Sequence, residues 1–170
     1  MPTLTVWRYD TAAGAGSAEV RLKVATERKL LTVHDAITVT WMPADDKPVI
    51  GHVAHATASA AGKGSVLGAL VGTLVLAPAV GAAAGASIGA VAQRLRGTGI
   101  DADVLANVRE ALRPGSSALL VLSSDEDIEA IEPLLHDDAV LVHAALDDDA
   151  PELLREALAR RQQPQEPEQT

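Results

Sequence analysis

The feature that most constrains this fold is a pair of glycine triplets inside a long uncharged segment. No charged side chain occurs between Lys63 and Arg94. Glycines spaced four residues apart lie along one face of a helix. Because glycine inside a helix costs about 1 kcal/mol relative to alanine, the pattern favours close approach of another backbone. The two triplets are Gly64, Gly68 and Gly72, and Gly81, Gly85 and Gly89.

The segment predicts two apolar helices, over about residues 59–76 and 79–95. Ala77 and Pro78 separate them, because proline removes a helix donor and disfavours helix in the residue before it. A helical hairpin would let the two glycine rows face each other, and one kinked helix is the alternative. The bulkier side chains lie away from the glycines; they are Val66, Leu67, Leu70, Val71, Leu74, Ile88 and Val91.

Composition excludes several function classes. The 170 residues carry a formal net charge of −9, which argues against a nucleic-acid partner because phosphate contacts need clustered Lys and Arg. Cysteine is absent, so disulfides, zinc fingers and thiol catalysis are excluded. The first residues lack the basic start and apolar run of a signal peptide, which predicts a cytoplasmic body.

The remaining sequence alternates between strand and helix patterns. Strands are predicted at residues 3–9, 35–42, 49–55, 117–122 and 139–146, where apolar residues alternate or run together. Helices are predicted from Ser17 to about residue 29, over 101–112, from Ser123 or Ser124 to 135, and from near Pro151 to about 161. Residues 162–170 are polar and proline-containing, which predicts a disordered tail.

This order predicts an α/β (α+β) fold, a ferredoxin-like sandwich with helices packed mainly on one face of a single sheet. Residues 1–57 and 98–161 would form the split sandwich domain. Residues 58–97 would form the inserted glycine-rich hairpin, whose two ends must leave the sheet domain close together.

Four stretches in this order resemble a bacterial family of proteins of unknown function, domain-of-unknown-function family 1269, usually labelled "membrane protein of unknown function". They are HDAITVTW (34–41), GALVGTLVLAPAVGAAAGASIGAV (68–91), GTGIDADVLANV (97–108) and RPGSSALLVL (113–122). The resemblance covers most of the chain. It implies a small α/β body with an inserted glycine-rich hairpin and no assigned activity.

Candidate chemical sites have simpler explanations. His52 and His55 form an H-x-x-H pair, but on a strand they point to opposite faces, and His34 or Asp35 does not complete a metal site. No phosphate-binding glycine motif and no G-x-S-x-G occurs. The acidic clusters at 125–127 and 147–149 begin helices, where carboxylates favour the dipole. The sequence therefore predicts no catalytic residue, metal or cofactor.

The prediction that follows is a non-enzymatic, self-assembling structural protein. Its hairpins would pack together through the glycines and bulky residues named above, as a hub or filament core. One alternative is insertion of the hairpin into the cytoplasmic leaflet, with Lys63, Arg94 and Arg96 at the water side. Arms of about 22 Å fall short of a hydrocarbon core of about 30 Å, so two full spans are not expected. A second alternative is a ligand-binding or enzymatic domain that uses the sheet face.

Overall fold

The computed structural model of the chain describes residues 1–53, 65–76, 83–124, 127–135 and 140–159. Five strands form one sheet in the order β3-β2-β4-β1-β5, and all neighbours are antiparallel. The strands are β1 (Thr3–Tyr9), β2 (Thr32–Thr40), β3 (Val49–His52), β4 (Ser117–Ser124) and β5 (Val140–Ala145). The helices are α1 (Gly14–Glu27), α2 (Val66–Leu76), α3 (Ala83–Arg94), α4 (Ala102–Ala111), α5 (Ile128–Leu135) and α6 (Ala150–Ala159).

Both faces of the sheet are buried, and β4 shows why. Its residues are almost continuously apolar, as expected of a strand with no solvent face. Leu120 and Leu122 contribute to one core, whereas Leu119 and Val121 contribute to the other. The central strand thus requires a helical layer on each side.

Helices α1 and α5 cover one face. Their inward residues join Trp7, Tyr9 and Val121 in one core. These inward residues are Ala15, Ala18, Leu22, Ala25, Ile131 and Leu135.

Helices α2, α3, α4 and α6 contribute to the core on the opposite face, with Leu4, Val6 and Ile37 from the strands. The prediction of helices mainly on one face is therefore wrong. It placed the apolar segment outside the sandwich, whereas α2 packs directly on β2 and β4. A mixed α/β architecture is confirmed.

Several helix boundaries depend on distant residues. Helix α1 begins at Gly14 rather than after Ser17, because Ser117 Oγ accepts a 2.9 Å hydrogen bond from the Ala15 N–H. Ser123 and Ser124 belong to β4, and Asp127 caps α5 instead. The helix predicted over 101–112 is observed as α4, and Asp101 caps it by accepting a 2.8 Å hydrogen bond from the Val104 N–H.

The two glycine-bearing helices have different main neighbours. Within the described residues, α2 packs mainly on α6, α4 and the sheet, whereas α3 packs mainly on α4. The described parts of α2 and α3 therefore do not pack glycine row against glycine row. The predicted break at Pro78, the helical residues expected before Ser65 and the predicted tail lie outside the described residues.

Candidate functional site

The bulky side chains predicted to form an intersubunit or lipid-facing surface lie in the core of the protomer itself. Val66, Leu67, Leu70, Val71, Leu74 and Val91 are buried, and Ile88 is half-buried against the same core. The reason is that the sheet has two apolar faces and α2 is needed to cover one of them. These side chains are therefore not available to other molecules, and only the opposite sides of the helices remain as a candidate surface.

Small residues lie on the opposite side of α2, and on α3 two small residues lie next to the exposed Gln93 and Arg94. On α2, Gly68, Ala69 and Gly72 are half-buried, and on α3, Gly89 and Ala90 are exposed. Gly85 lies within α3, whereas Gly64 and Gly81 lie outside the described residues. The structure therefore places the bulky residues inside, the glycines of α2 in half-buried positions and Gly89 at the surface.

Gly68 has an explanation within the protomer. A Cβ added there would lie 3.3 Å from His52 Cε1 and 3.3 Å from Ser65 Oγ. These contacts are tighter than a side chain normally makes, so the fold itself favours glycine at this position. His52 thus acts as a packing neighbour of α2.

Gly89 has no such explanation. Among the residues that the structure describes, a Cβ added there would meet no atom within 4 Å. It borders a surface groove of about 540 Å³ between the end of α3 and the start of α4, here called the α3–α4 groove. Its lining comprises Gly89, Ala92, Gln93, Leu95, Arg96, Gly97, Gly99, Ile100, Asp101 and Ala102.

The α3–α4 groove has a well-defined loop at its base. Thr98 Oγ1 donates a 2.7 Å hydrogen bond to the Leu95 carbonyl and accepts one of 3.2 Å from the Ile100 N–H. Gly99 has a positive φ of 83°, and a Cβ there would lie 2.8 Å from the Ala145 carbonyl oxygen. Only glycine allows the loop to approach the end of β5 so closely. The groove is therefore located at the β5 end of the sheet.

Next to a β-bulge in β2, Asp35 binds the start of α2, which is the described part of the apolar segment farthest in the chain from the groove. The pairing of β2 with β4 shifts register between Val33 and Asp35, which turns Asp35 toward α2. The buried carboxylate accepts hydrogen bonds of 2.9 Å from the Leu67 N–H and 2.9 Å from Ser65 Oγ. The sequence suggests Asp35 only as a possible additional metal ligand and does not predict this contact, because no local spacing links residues 35 and 67.

The other candidate residues do not gather into a chemical site. His34 Nε2 lies 2.9 Å from Ser124 Oγ, and His52 is exposed on β3. His55 lies outside the described residues. Among the residues that the structure describes, no group of three His, Asp or Glu side chains is placed to hold a metal ion.

Two further observations concern a cavity at α1 and the capacity of the helices to cross a membrane. A second cavity, of about 330 Å³, lies at the start of α1 and is bordered by Tyr9, Ser17 and Arg21. None of the described helices combines the length and the apolar character needed to cross a membrane.

Comparison with models of protein families tests the family resemblance suggested by the four sequence stretches. The model described as "Protein of unknown function (DUF1269)" matches residues 61–159. The chain belongs to the DUF1269 family. In this DUF1269 protein, the matched region spans α2 to α6 together with β4 and β5, so it includes the α3–α4 groove. No curated protein and no solved structure matches the chain significantly.

Proposed function

We propose that this DUF1269 protein is a non-enzymatic structural protein that self-associates through the exposed side of α3 around Gly89 and Ala90 and the adjoining α3–α4 groove. A helix from a second copy would lie against Gly89 and Ala90 and fill the groove. Self-assembly remains the proposed function, and the contact surface keeps a glycine of the predicted interface, Gly89, but not the bulky residues, which are buried or half-buried in the core.

The observation that carries the proposal is the open position at Gly89. Glycine in a helix interior costs about 1 kcal/mol relative to alanine. Nothing among the described residues would obstruct a Cβ at this position, so the described packing does not require glycine. Close approach of another helix backbone supplies the missing reason, since small residues are what allow two helices to approach closely.

The charges around the groove support a second copy as the partner. Arg94 and Arg96 at the end of α3 are exposed, and so are Asp101 and Asp103 at the start of α4. A two-fold contact brings the same patch of both subunits together. Opposite charges on one patch can then pair across the axis, even though the whole chain is strongly acidic.

We also infer that four of the five strands form a ferredoxin-like core. The units β1-α1-β2 and β4-α5-β5 interleave in the order β5-β1-β4-β2, with α1 and α5 on one face. Strand β3 then extends the sheet at one edge. Helices α2, α3 and α4 lie between β3 and β4 in the chain, as an insertion would.

Replacing Gly89 tests the proposed contact. G89L should abolish association through this surface because its side chain occupies the space of the incoming backbone, and G89A should weaken it. The matched control is Gly16, an exposed glycine in the first turn of α1 whose Cβ position is also open. Sedimentation velocity over a range of concentrations should show smaller particles for G89L and unchanged particles for G16L. Equal particle sizes for both variants would refute the proposal.

Sedimentation, combined with vesicle flotation and thermal melting, separates self-association from lipid binding and from ligand binding. A monomer at every concentration that floats with anionic vesicles, and loses flotation on G89L, would favour association with a membrane surface. The groove volume of about 540 Å³ also lies within the range of about 300–1,000 Å³ usual for small-molecule sites. A ligand-dependent rise in melting temperature for a monomer, lost in G89L, would favour that function instead.

A further inference from the structure

Strand β3 offers a second surface at the opposite end of the sheet. In the described part of the chain, β3 pairs with β2 on one side and has no strand on its other side. The α3–α4 groove adjoins β5, which is the other edge strand. The two surfaces are therefore separate, and an inference about β3 stands independently of the proposed function.

The hydrogen-bond pattern identifies which backbone groups of β3 point outward. The Val53 N–H donates a 3.1 Å hydrogen bond to the Ala36 carbonyl, directly opposite it in the register of β2 and β3. Hydrogen-bonded pairs recur every second residue in an antiparallel ladder. Val49 and Gly51 therefore point their backbone groups toward β2, whereas Ile50 and His52 present N–H and C=O groups at the open edge.

We propose that this edge binds the β3 strand of a second copy, antiparallel and with the two-fold axis beside Gly51. In this register Ile50 of each copy faces His52 of the other. The outward N–H and C=O groups of both residues then form four hydrogen bonds across the axis. Each Gly51 faces its symmetry mate as a non-hydrogen-bonded pair, the closest type of pair in an antiparallel ladder. A register centred on Ile50 would instead use Pro48, which has no N–H to donate.

The chemistry of the edge favours this partner. The strand sequence VIGH has no acidic or lysine side chain, although charged residues commonly protect exposed edges. Val49 is 63% exposed and, in this register, lies beside Val53 of the second copy. Met42 is also exposed at 48% and leads into the β2–β3 turn. An uncharged strand with unburied aliphatic surface suits strand addition.

Strand direction selects β3 rather than β5 as the pairing partner. Every neighbouring pair in the order β3-β2-β4-β1-β5 is antiparallel, so β3 and β5 run in the same direction. If two copies in the same orientation lay side by side, β3 of one would pair with β5 of the other as parallel strands. Pairing of β3 with itself keeps the antiparallel pattern and produces a continuous ten-stranded sheet.

The combination of two surfaces has a geometric consequence. A two-fold contact at β3 alone closes a dimer. A second two-fold contact at the α3–α4 groove, at the other end of the sheet, would link such dimers into an open chain. The β3 contact therefore predicts a defined dimer when the groove contact is removed.

Two valines with matched exposure test the β3 contact. Val49 is 63% exposed on β3 and Val20 is 65% exposed on α1. In a G89L background, sedimentation should give a dimer, V49K should convert it to a monomer, and V20K should leave it dimeric. A monomer for G89L alone, or a dimer that persists with V49K, would overturn the inference. If G89L leaves large assemblies intact, the groove proposal fails, but V49K must still reduce the mass while V20K does not.

Amide hydrogen exchange provides a direct readout of the same edge. The outward N–H groups of Ile50 and His52 should exchange at least about tenfold more slowly in the dimer than in folded V49K. The inward N–H of Gly51 serves as an internal control, since its bond to β2 is present in both states. Equal exchange of Ile50 and His52 at dimer-forming concentration and in V49K would also overturn the inference.

Discussion

The carboxylate of Asp35 accepts a 2.9 Å hydrogen bond from the backbone N–H of Leu67 and so joins β2 to the first turn of α2. The contact is buried, and Ser65 adds a second hydrogen bond to the same carboxylate. Ser65 Oγ in turn accepts a hydrogen bond from the Gly68 N–H. The start of the apolar helix is thus fixed to the sheet by a polar network, and the helix belongs to the core.

Removal of this carboxylate should destabilise the fold. D35A leaves the buried N–H of Leu67 without its partner, which costs about 1–3 kcal/mol in the free energy of unfolding. The control is D101A, which removes the exposed cap of α4. It should lower the free energy of unfolding by only about 1 kcal/mol, because water can replace the lost acceptor. Urea unfolding measures both, and a D35A cost below that of D101A would contradict the role given to Asp35.

Truncation of α2 should test whether its bulky side belongs to the protomer. Leu67 is fully buried, and L67A should lower the free energy of unfolding by about 2–5 kcal/mol. Leu153 on α6 is 38% exposed, so L153A should cost less than L67A. If L67A changed particle size but left the unfolding free energy of the protomer unaltered, the helix would be an assembly element outside the core.

Two glycines in one loop should differ in their tolerance of alanine. Gly97 and Gly99 have nearly equal positive φ values of 84° and 83°. G97A should cost about 1–2 kcal/mol from backbone strain alone, since its Cβ meets nothing. G99A should cost more, because its Cβ would also press on the Ala145 carbonyl. Thermal unfolding compares the pair, and equal melting temperatures would show that the loop does not need this close approach.

Two glycines of α1 should respond in opposite directions. A Cβ at Gly14 would collide with the side chain of Tyr9, so G14A should destabilise by about 1–3 kcal/mol through overpacking. Gly16 has open space around its Cβ position, and G16A should stabilise by up to about 1 kcal/mol through helix propensity. Calorimetric melting of the two variants checks the sign of each change. A stabilising G14A would mean that Tyr9 does not pack against this turn.

Much of the secondary structure could be predicted because it follows from local patterns. Strand β1 was predicted at its observed bounds, and the helix predicted over 101–112 agrees with α4 to within a residue at each end. The predicted start of α1, at Ser17, lies later in the chain than the observed start at Gly14. The reason is that the first turn is completed by Ser117, more than 100 residues away in the chain. The contact of Asp35 with Leu67 was missed for the same reason. Interactions between distant segments have no signature in local spacing.

For the glycine rows too, local spacing predicts one feature of the candidate surface and tertiary packing decides another. Their spacing correctly separates a small side from a bulky side on α2, because helical periodicity alone fixes which residues share a face. Which side faces inward depends on what the helix packs against. The sheet has two apolar faces and therefore attracts the bulky side of α2 into the core, leaving Gly68 and Gly72 half-buried and Gly89 of α3 exposed.

The sequence by itself determined the number and approximate positions of most strands and helices, the aliphatic character of the core and the family of the chain. These depend on residue type and short-range periodicity. The tertiary structure decided the strand order, the cover of both sheet faces and the outward orientation of the small residues. Those features depend on which distant apolar surfaces exclude water together, and hydrophobic burial has no preferred sequence separation.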